Sequence, residues 1–172
     1  MKEVVNEIFY HCNSTSNQNP YNLLSEGDIL NIGKTINPFM SSYENQVPNV
    51  INNKQALISA VTFYWHYARE TIFEEERKNI NENLPSRFTS LWVGDYESMK
   101  DWKMHFEHNK VQLLELSLTG VVFKCDATFV EGNPIPLSKV RENANKYWGG
   151  HVLDNKKVEY LFTGKAKVIK VL

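Results

Sequence analysis

Apolar positions along the chain repeat with two different periods. Val4, Val5, Ile8 and Phe9 lead into His11 and read as a first strand, and Ile29 to Ile32 as a short second one. Between them residues 13–22 are almost all Asn, Ser, Thr, Gln and Pro, the composition of a long polar loop. The Asn- and Pro-rich stretch Asn37–Asn49 reads as another irregular segment.

From about Asn53 to about Ile80 the period becomes helical. Leu57, Val61, Tyr64, Ala68 and Ile72 recur three and four residues apart, with Asn52 or Asn53 available as cap. Glu70, Glu74, Glu75, Glu76, Arg77 and Lys78 read as a solvated, charged face in which Glu74 pairs with Lys78. Pro85 ends this region, Arg87–Val93 reads as a strand, and Asp95 caps a second helix to about Glu107 with the stripe Tyr96, Met99, Trp102 and Phe106. Val111–Leu118 and Val121–Thr128 form an expected hairpin through Thr119-Gly120. A third helix follows from Ser138 to about Trp148, packing through Val140, Ala144 and Tyr147 or Trp148 and stopped by Gly149-Gly150. Val158, Tyr160, Leu161 and Phe162 around Glu159, and Val168, Ile169 and Val171 after a Gly164 turn, read as the last two strands. This order predicts one α+β domain over residues 1–172 and not a doubly wound fold. The helix from Asn53 is expected to cross the sheet through Leu57, Val61, Tyr64 and Ala68, and the His11 and Glu159 strands to lie side by side.

A chain of 172 residues, 42% hydrophobic and 23% charged, is long enough to bury a continuous core. Its net charge of −1 gives no general attraction to nucleic acid or anionic membrane. The acids at Glu3 and Glu7 interrupt any signal-peptide core, and no apolar run approaches a membrane span, so the expected location is the cytoplasm. Cys12 and Cys125 have neither CxxC nor His spacing and read as buried free thiols. His105 and His108 stand at i and i+3 without an HExxH pattern, a placement that the helix C-terminus explains, so no metal is expected.

No GxGxxG, GxxxxGK[ST] or GxSxG motif occurs. What stands out is one polar residue inside each terminal apolar run, His11 and Glu159, with the aromatic-bearing Ser90-Leu91-Trp92-Val93 strand between them. The layout resembles the His-Tyr-Glu arrangement of the ADP-ribosyltransferase fold. In detail the chain is similar to a bacterial family catalogued as domain of unknown function 2441, placed structurally in that superfamily. The resemblance implies a split β-sheet with flanking helices and an NAD molecule in its cleft.

It also implies cleavage of the bond between ribose and nicotinamide, with Glu159 stabilising the oxocarbenium-like charge and orienting the ribose. His11 would hydrogen-bond the adenosine-side ribose, and Trp92, or Tyr147 or Trp148, would stack on the nicotinamide. Ser90 and Trp92 occupy the strand where the family carries its Tyr. Arg87 is the arginine best placed for a phosphate. Lys157 stands where arginine-modifying members carry an acidic or amide residue, which speaks against arginine as acceptor. The implied activity is ADP-ribose transfer from NAD to an unknown acceptor. The alternative is a catalytically silent scaffold of the same fold that binds a partner or self-associates as a homodimer.

Overall fold

One antiparallel sheet organises the chain in the computed structural model, which describes residues 1–15, 22–45, 54–106 and 110–172. At its centre β4 (Lys110–Asp126) pairs along its length with β5 (Val158–Val171). β1 (Lys2–Thr15) lies on the other side of β4. The far edge of β5 is shared by β2 (Ile29–Ile32), paired with Gly164–Lys167, and β3 (Leu91–Val93), paired with Tyr160–Phe162. Gly94, just after β3, exchanges two backbone hydrogen bonds with Tyr10 of β1 at 2.9 and 3.0 Å, so the sheet curls until its edge strand meets β1.

Four α-helices accompany the sheet among the described residues: α1 (Pro38–Asn45), α2 (Lys54–Asn81), α3 (Tyr96–His105) and α4 (Leu137–Trp148). The α+β class read from the sequence is the one observed. One apolar cluster is built within the sheet from Val4, Leu91, Leu114, Leu116, Phe162 and Val168, among others. The second lies where α2 and α4 meet the sheet, around Phe73, Phe123, Tyr147, Trp148 and Leu161. Each fully buried large side chain there stabilises by roughly 1.5–3 kcal/mol before entropy is counted. Trp148 Nε1 also donates to the Phe73 carbonyl at 2.6 Å, which fixes α4 on α2.

Several expectations need correction. The hairpin through Thr119-Gly120 and the turn at Gly164 are not turns; each flanking pair of runs is one continuous strand. Gly120 and Gly164 face each other across β4 and β5. A Cβ on Gly120 would lie 2.2 Å from the Thr163 carbonyl oxygen, and one on Gly164 2.4 Å from that of Thr119. The glycines let two backbones pass closely, and a glycine between alternating runs looks the same in sequence whether the chain turns or continues. Likewise β1 does not end at His11 but runs to Thr15. β1 and β5 are not neighbours, because β4 separates them: His11 faces Leu114, and Glu159 faces Cys125.

Of the expected strand Arg87–Val93 only Leu91–Val93 is extended; Ser86 to Thr89 form a turn closed by the Ser90 amide on the Ser86 carbonyl at 2.9 Å. Part of Asn37–Asn49 is helical as α1, with Asn37 Oδ1 accepting from the Met40 amide at 2.9 Å and Pro38 at the first helical position. The second helix begins at its cap Asp95 as expected, but only Met99 of its stripe is buried, while Tyr96 and Trp102 are exposed. Asn52, Asn53 and His108 lie outside the described residues.

The largest correction concerns α2. Leu57, Val61, Tyr64 and Ala68 face solvent, and the inward line is Ala56, Ala60, Phe63, Tyr67, Glu70, Phe73 and Arg77, one residue or about 100° away. Two members of the supposed solvated face, Glu70 and Arg77, are therefore in the interior. No described helix is long and apolar enough to cross a membrane.

Candidate functional site

A cavity of about 260 Å³ opens where β1, β2, the start of α1 and β3 converge. β1 contributes His11 and Asn13, the segment after β2 contributes Gly33, Thr35, Ile36, Asn37 and Pro38, and the turn into β3 contributes Thr89 to Trp92. Asn22, Leu24, Leu30, Asn31 and Ile32 complete a lining that holds amides, hydroxyls and hydrocarbon but no Asp, Glu, Lys or Arg.

The walls are tied down by hydrogen bonds. Asn37 Nδ2 donates to the carbonyls of Arg87 and Ser90 at 2.8 and 3.2 Å, joining the α1 entrance to the β3 turn. Asn13 Nδ2 donates to the Asn22 carbonyl at 2.9 Å and to Gln112 Oε1 at 3.0 Å, while Gln112 holds both backbone groups of Leu24. Two further polar groups of the lining bear on what the cavity can hold.

The first is on His11. Its Nδ1 lies 2.8 Å from the Trp92 carbonyl, which only accepts, so Nδ1 carries the hydrogen and Nε2 presents a lone pair. Burial lowers the imidazole pKa to about 4, partly opposed by the Trp92 hydrogen bond, and the ring is neutral at physiological pH. The second is Ser90, almost wholly buried, whose hydroxyl has no hydrogen-bond partner among the described residues. A buried polar group without a partner is rare and calls for an explanation.

Glu159 lies elsewhere, in a buried polar network centred on Arg87. Arg87 Nε donates to Glu70 Oε2 at 2.7 Å and Nη2 to Glu70 Oε1 at 3.3 Å, while Nη1 reaches Glu159 Oε1 and the Tyr147 hydroxyl, each at 2.6 Å. The Tyr147 hydroxyl in turn donates to Glu159 Oε1 at 2.6 Å. Arg69 Nη2 adds a bond to Glu70 at 3.1 Å, so two carboxylates meet two guanidinium groups and the charges balance. Aromatic faces enclose the Arg87 guanidinium, with the centres of the Tyr147, Trp92 and Phe73 rings 5.2, 5.4 and 6.0 Å away.

Burial by itself would raise the Glu70 carboxyl, yet the charge and hydrogen bonds of Arg87 and Arg69 hold it below its ordinary range. Burial pulls Arg87 down, and Glu70, Tyr147 and Glu159 more than reverse this. Burial raises the Tyr147 phenol far above its usual value despite Arg87, so it stays a donor. The Glu159 side chain is 12% exposed and its carboxylate already serves Arg87 and Tyr147.

Of the residues singled out from sequence, His11, Ser90 and Trp92 line the one cavity, and Arg87, Tyr147 and Glu159 share the other network. Trp92 joins the two: its carbonyl holds His11 and its ring covers Arg87. Glu70, Asn13 and Asn37 were missed. The Asn37-Pro38 pair is a helix-start signal that points to Asn37, whereas nothing local distinguishes Glu70 from its acidic neighbours. Cys125 is buried and Cys12 half-buried, both free. No group of three His, Cys, Asp or Glu residues able to hold a metal occurs among the described residues.

Compared with known proteins, the chain matches over residues 3–172 the family model described as Protein of unknown function (DUF2441). No curated protein matches it.

Proposed function

We propose that this chain, which belongs to the DUF2441 family, is a binding protein for a small uncharged ligand seated against His11 and Ser90. The observation that carries the reading is the neutral His11 imidazole, held through Nδ1, together with the unpartnered Ser90 hydroxyl in a lining without charged residues. A neutral acceptor at His11 Nε2 asks for an N–H or O–H donor on the ligand, and the Ser90 hydroxyl complements a carbonyl beside it. A planar amide or lactam has both. The volume is below the roughly 300–1,000 Å³ of pockets for drug-sized molecules, so it suits a single ring or one end of something larger.

The ADP-ribosyltransferase reading uses the same cavity, and the juxtaposition of His11, Ser90 and Trp92 is the observation in its favour. An intact NAD would enter by its nicotinamide end, with its phosphates beyond the uncharged lining. Transfer would require Glu159 to leave Arg87 and Tyr147, at the cost of an uncompensated guanidinium in the interior. That cost favours the silent scaffold.

Thermal unfolding with nicotinamide, benzamide, ADP-ribose and NAD tests both, since a ligand of the native state raises Tm by mass action. The binding reading expects nicotinamide or benzamide to raise Tm, His11→Ala to abolish the shift, and Glu159→Gln to keep it, with no nicotinamide released from NAD. Release by the wild-type protein that falls roughly 100-fold in Glu159→Gln would establish the transfer reading instead. No shift with any probe at millimolar concentration would overturn the binding reading.

A further inference from the structure

A second and larger hollow adjoins the His11 cavity, an open groove of about 630 Å³ between the turn after β2, the C-terminal part of α2 and the stretch 82–89. Ile32, Gly33 and Thr89 line both spaces. At this border the two flanking segments divide their residues: Thr35 and Ser90 line the cavity, Lys34 and Phe88 the groove. A ligand with one end at Ser90 is led over Gly33 and Thr89 into the groove.

Charge separates the two spaces. The cavity lining has none, whereas the groove carries Lys34, Arg77 and Lys78 against Glu74 and Glu82. Arg77 is committed: it pairs with Glu74 at 2.8 and 3.0 Å and donates to the Leu84 carbonyl at 2.7 Å. Lys78 reaches Glu74 only at 3.9 Å, and Lys34 is exposed and in no ion pair of the described residues. With the Arg77–Glu74 pair neutral, two ammonium groups and the Glu82 carboxylate remain, so the groove is net positive beside a neutral cavity.

We infer that the ligand is a nucleoside phosphate with a single-ring lactam base, the base in the cavity against His11 and Ser90 and the phosphate in the groove on Lys34 and Lys78. This rests on the reading of the cavity given above and names the rest of its ligand. A lactam ring carries N–H and C=O side by side on a rigid edge, so meeting His11 Nε2 and the Ser90 hydroxyl freezes no rotor, and the cavity volume admits one ring. The sugar lies along Gly33 and Thr89. A phosphate brings three acceptor oxygens and a charge of about −1.5 to −2, which suits two lysines acting as point charges.

Titration calorimetry on the full chain, with uracil, uridine, uridine monophosphate and ribose phosphate as probes, tests this. Uridine and its monophosphate should both bind, the monophosphate roughly tenfold more tightly at low ionic strength, with that advantage largely lost at about 0.5 M salt. Replacing both exposed lysines, Lys34→Ala with Lys78→Ala, leaves the Arg77–Glu74 pair in place and should bring the monophosphate down to the affinity of uridine. His11→Ala should weaken both ligands. Uridine that gains nothing from its phosphate, or a gain that survives the double lysine variant, overturns the inference and leaves the cavity reading standing. So does nicotinamide binding where uracil and uridine do not bind. Ribose phosphate binding as tightly as uridine monophosphate also overturns it, because the ring then contributes nothing. Failure of every ring probe, nicotinamide and benzamide included, overturns the cavity reading and this inference with it.

Discussion

Replacing Glu70 by Gln changes a few atoms in the interior of α2, and the geometry sets how much stability it removes. The wild-type carboxylate accepts from Arg87 Nε at 2.7 Å, Arg87 Nη2 at 3.3 Å and Arg69 Nη2 at 3.1 Å. A glutamine keeps the shape but offers one acceptor oxygen, turns an amide donor towards guanidinium donors, and leaves the buried Arg87 with Glu159 as its one carboxylate partner and the part-buried Arg69 with none in the network. Removing one partner of a buried ion pair costs about 3–5 kcal/mol. Total stability of a domain is roughly 5–15 kcal/mol, so the variant should fold but be marginal. For a chain of this length each kcal/mol moves Tm by about 2–4 °C, which gives an expected fall of roughly 6–20 °C.

Urea unfolding followed by tryptophan fluorescence measures it, with Trp92 beside Arg87 as a local reporter. A pH series supplies a second check with a definite sign. The folded Glu70 carboxyl lies below its unfolded value, so its contribution is fully present above the ordinary glutamate range and is lost as pH falls through the lower folded value. The gap between wild type and variant should therefore shrink in acid. A loss under about 1 kcal/mol at neutral pH, or a gap that persists unchanged in acid, would refute the reasoning that the network is a paired, buried unit.

His11 gives an acid dependence of the same sign over a higher window. Its folded value near 4 lies below the ordinary 6.5, so native stability should fall by about 3 kcal/mol as pH drops from 6.5 to 4, and His11→Gln, which keeps a donor for the Trp92 carbonyl, should flatten that slope in a pH-dependent melt. Gly120→Ala should cost more than about 3 kcal/mol or prevent folding, because its Cβ would stand 2.2 Å from the Thr163 carbonyl oxygen. Gly27→Ala, at φ 92° but with nothing within 4 Å, should cost only about 1–2 kcal/mol by the same denaturation assay.

Much of the candidate site was legible residue by residue. His11 and Glu159 each interrupt an apolar run, and both are buried or nearly so in specific polar contacts. That they belong to different sites was not legible, because it depends on β4 lying between their strands and on Arg87, 72 residues before Glu159, turning inward ahead of β3. In sequence Glu70 reads as solvated because an acid among acids carries no mark of its partner, and that partner, Arg87, is set by tertiary contact. Asn13 and Asn37 do their work through hydrogen bonds to backbone groups, which any Asn in a polar segment can make.

By itself the sequence determined the α+β class, the short strand Ile29–Ile32, the Asp95 cap and the helices α2, α3 and α4, since period, caps and breakers act between residues a turn apart or less. The tertiary structure decided the phase of α2 and the passage of β4 and β5 straight through Gly120 and Gly164. On α2 two stripes compete. Leu57, Val61, Tyr64 and Ala68 are the more apolar, yet the line through Ala60, Phe63, Glu70 and Arg77 faces inward, because Arg87 neutralises Glu70, while Glu74 and the carbonyls of Glu82 and Leu84 satisfy Arg77. Which stripe is buried turns on whether distant groups satisfy its charges, and that information is distributed over the fold and not over any one helix.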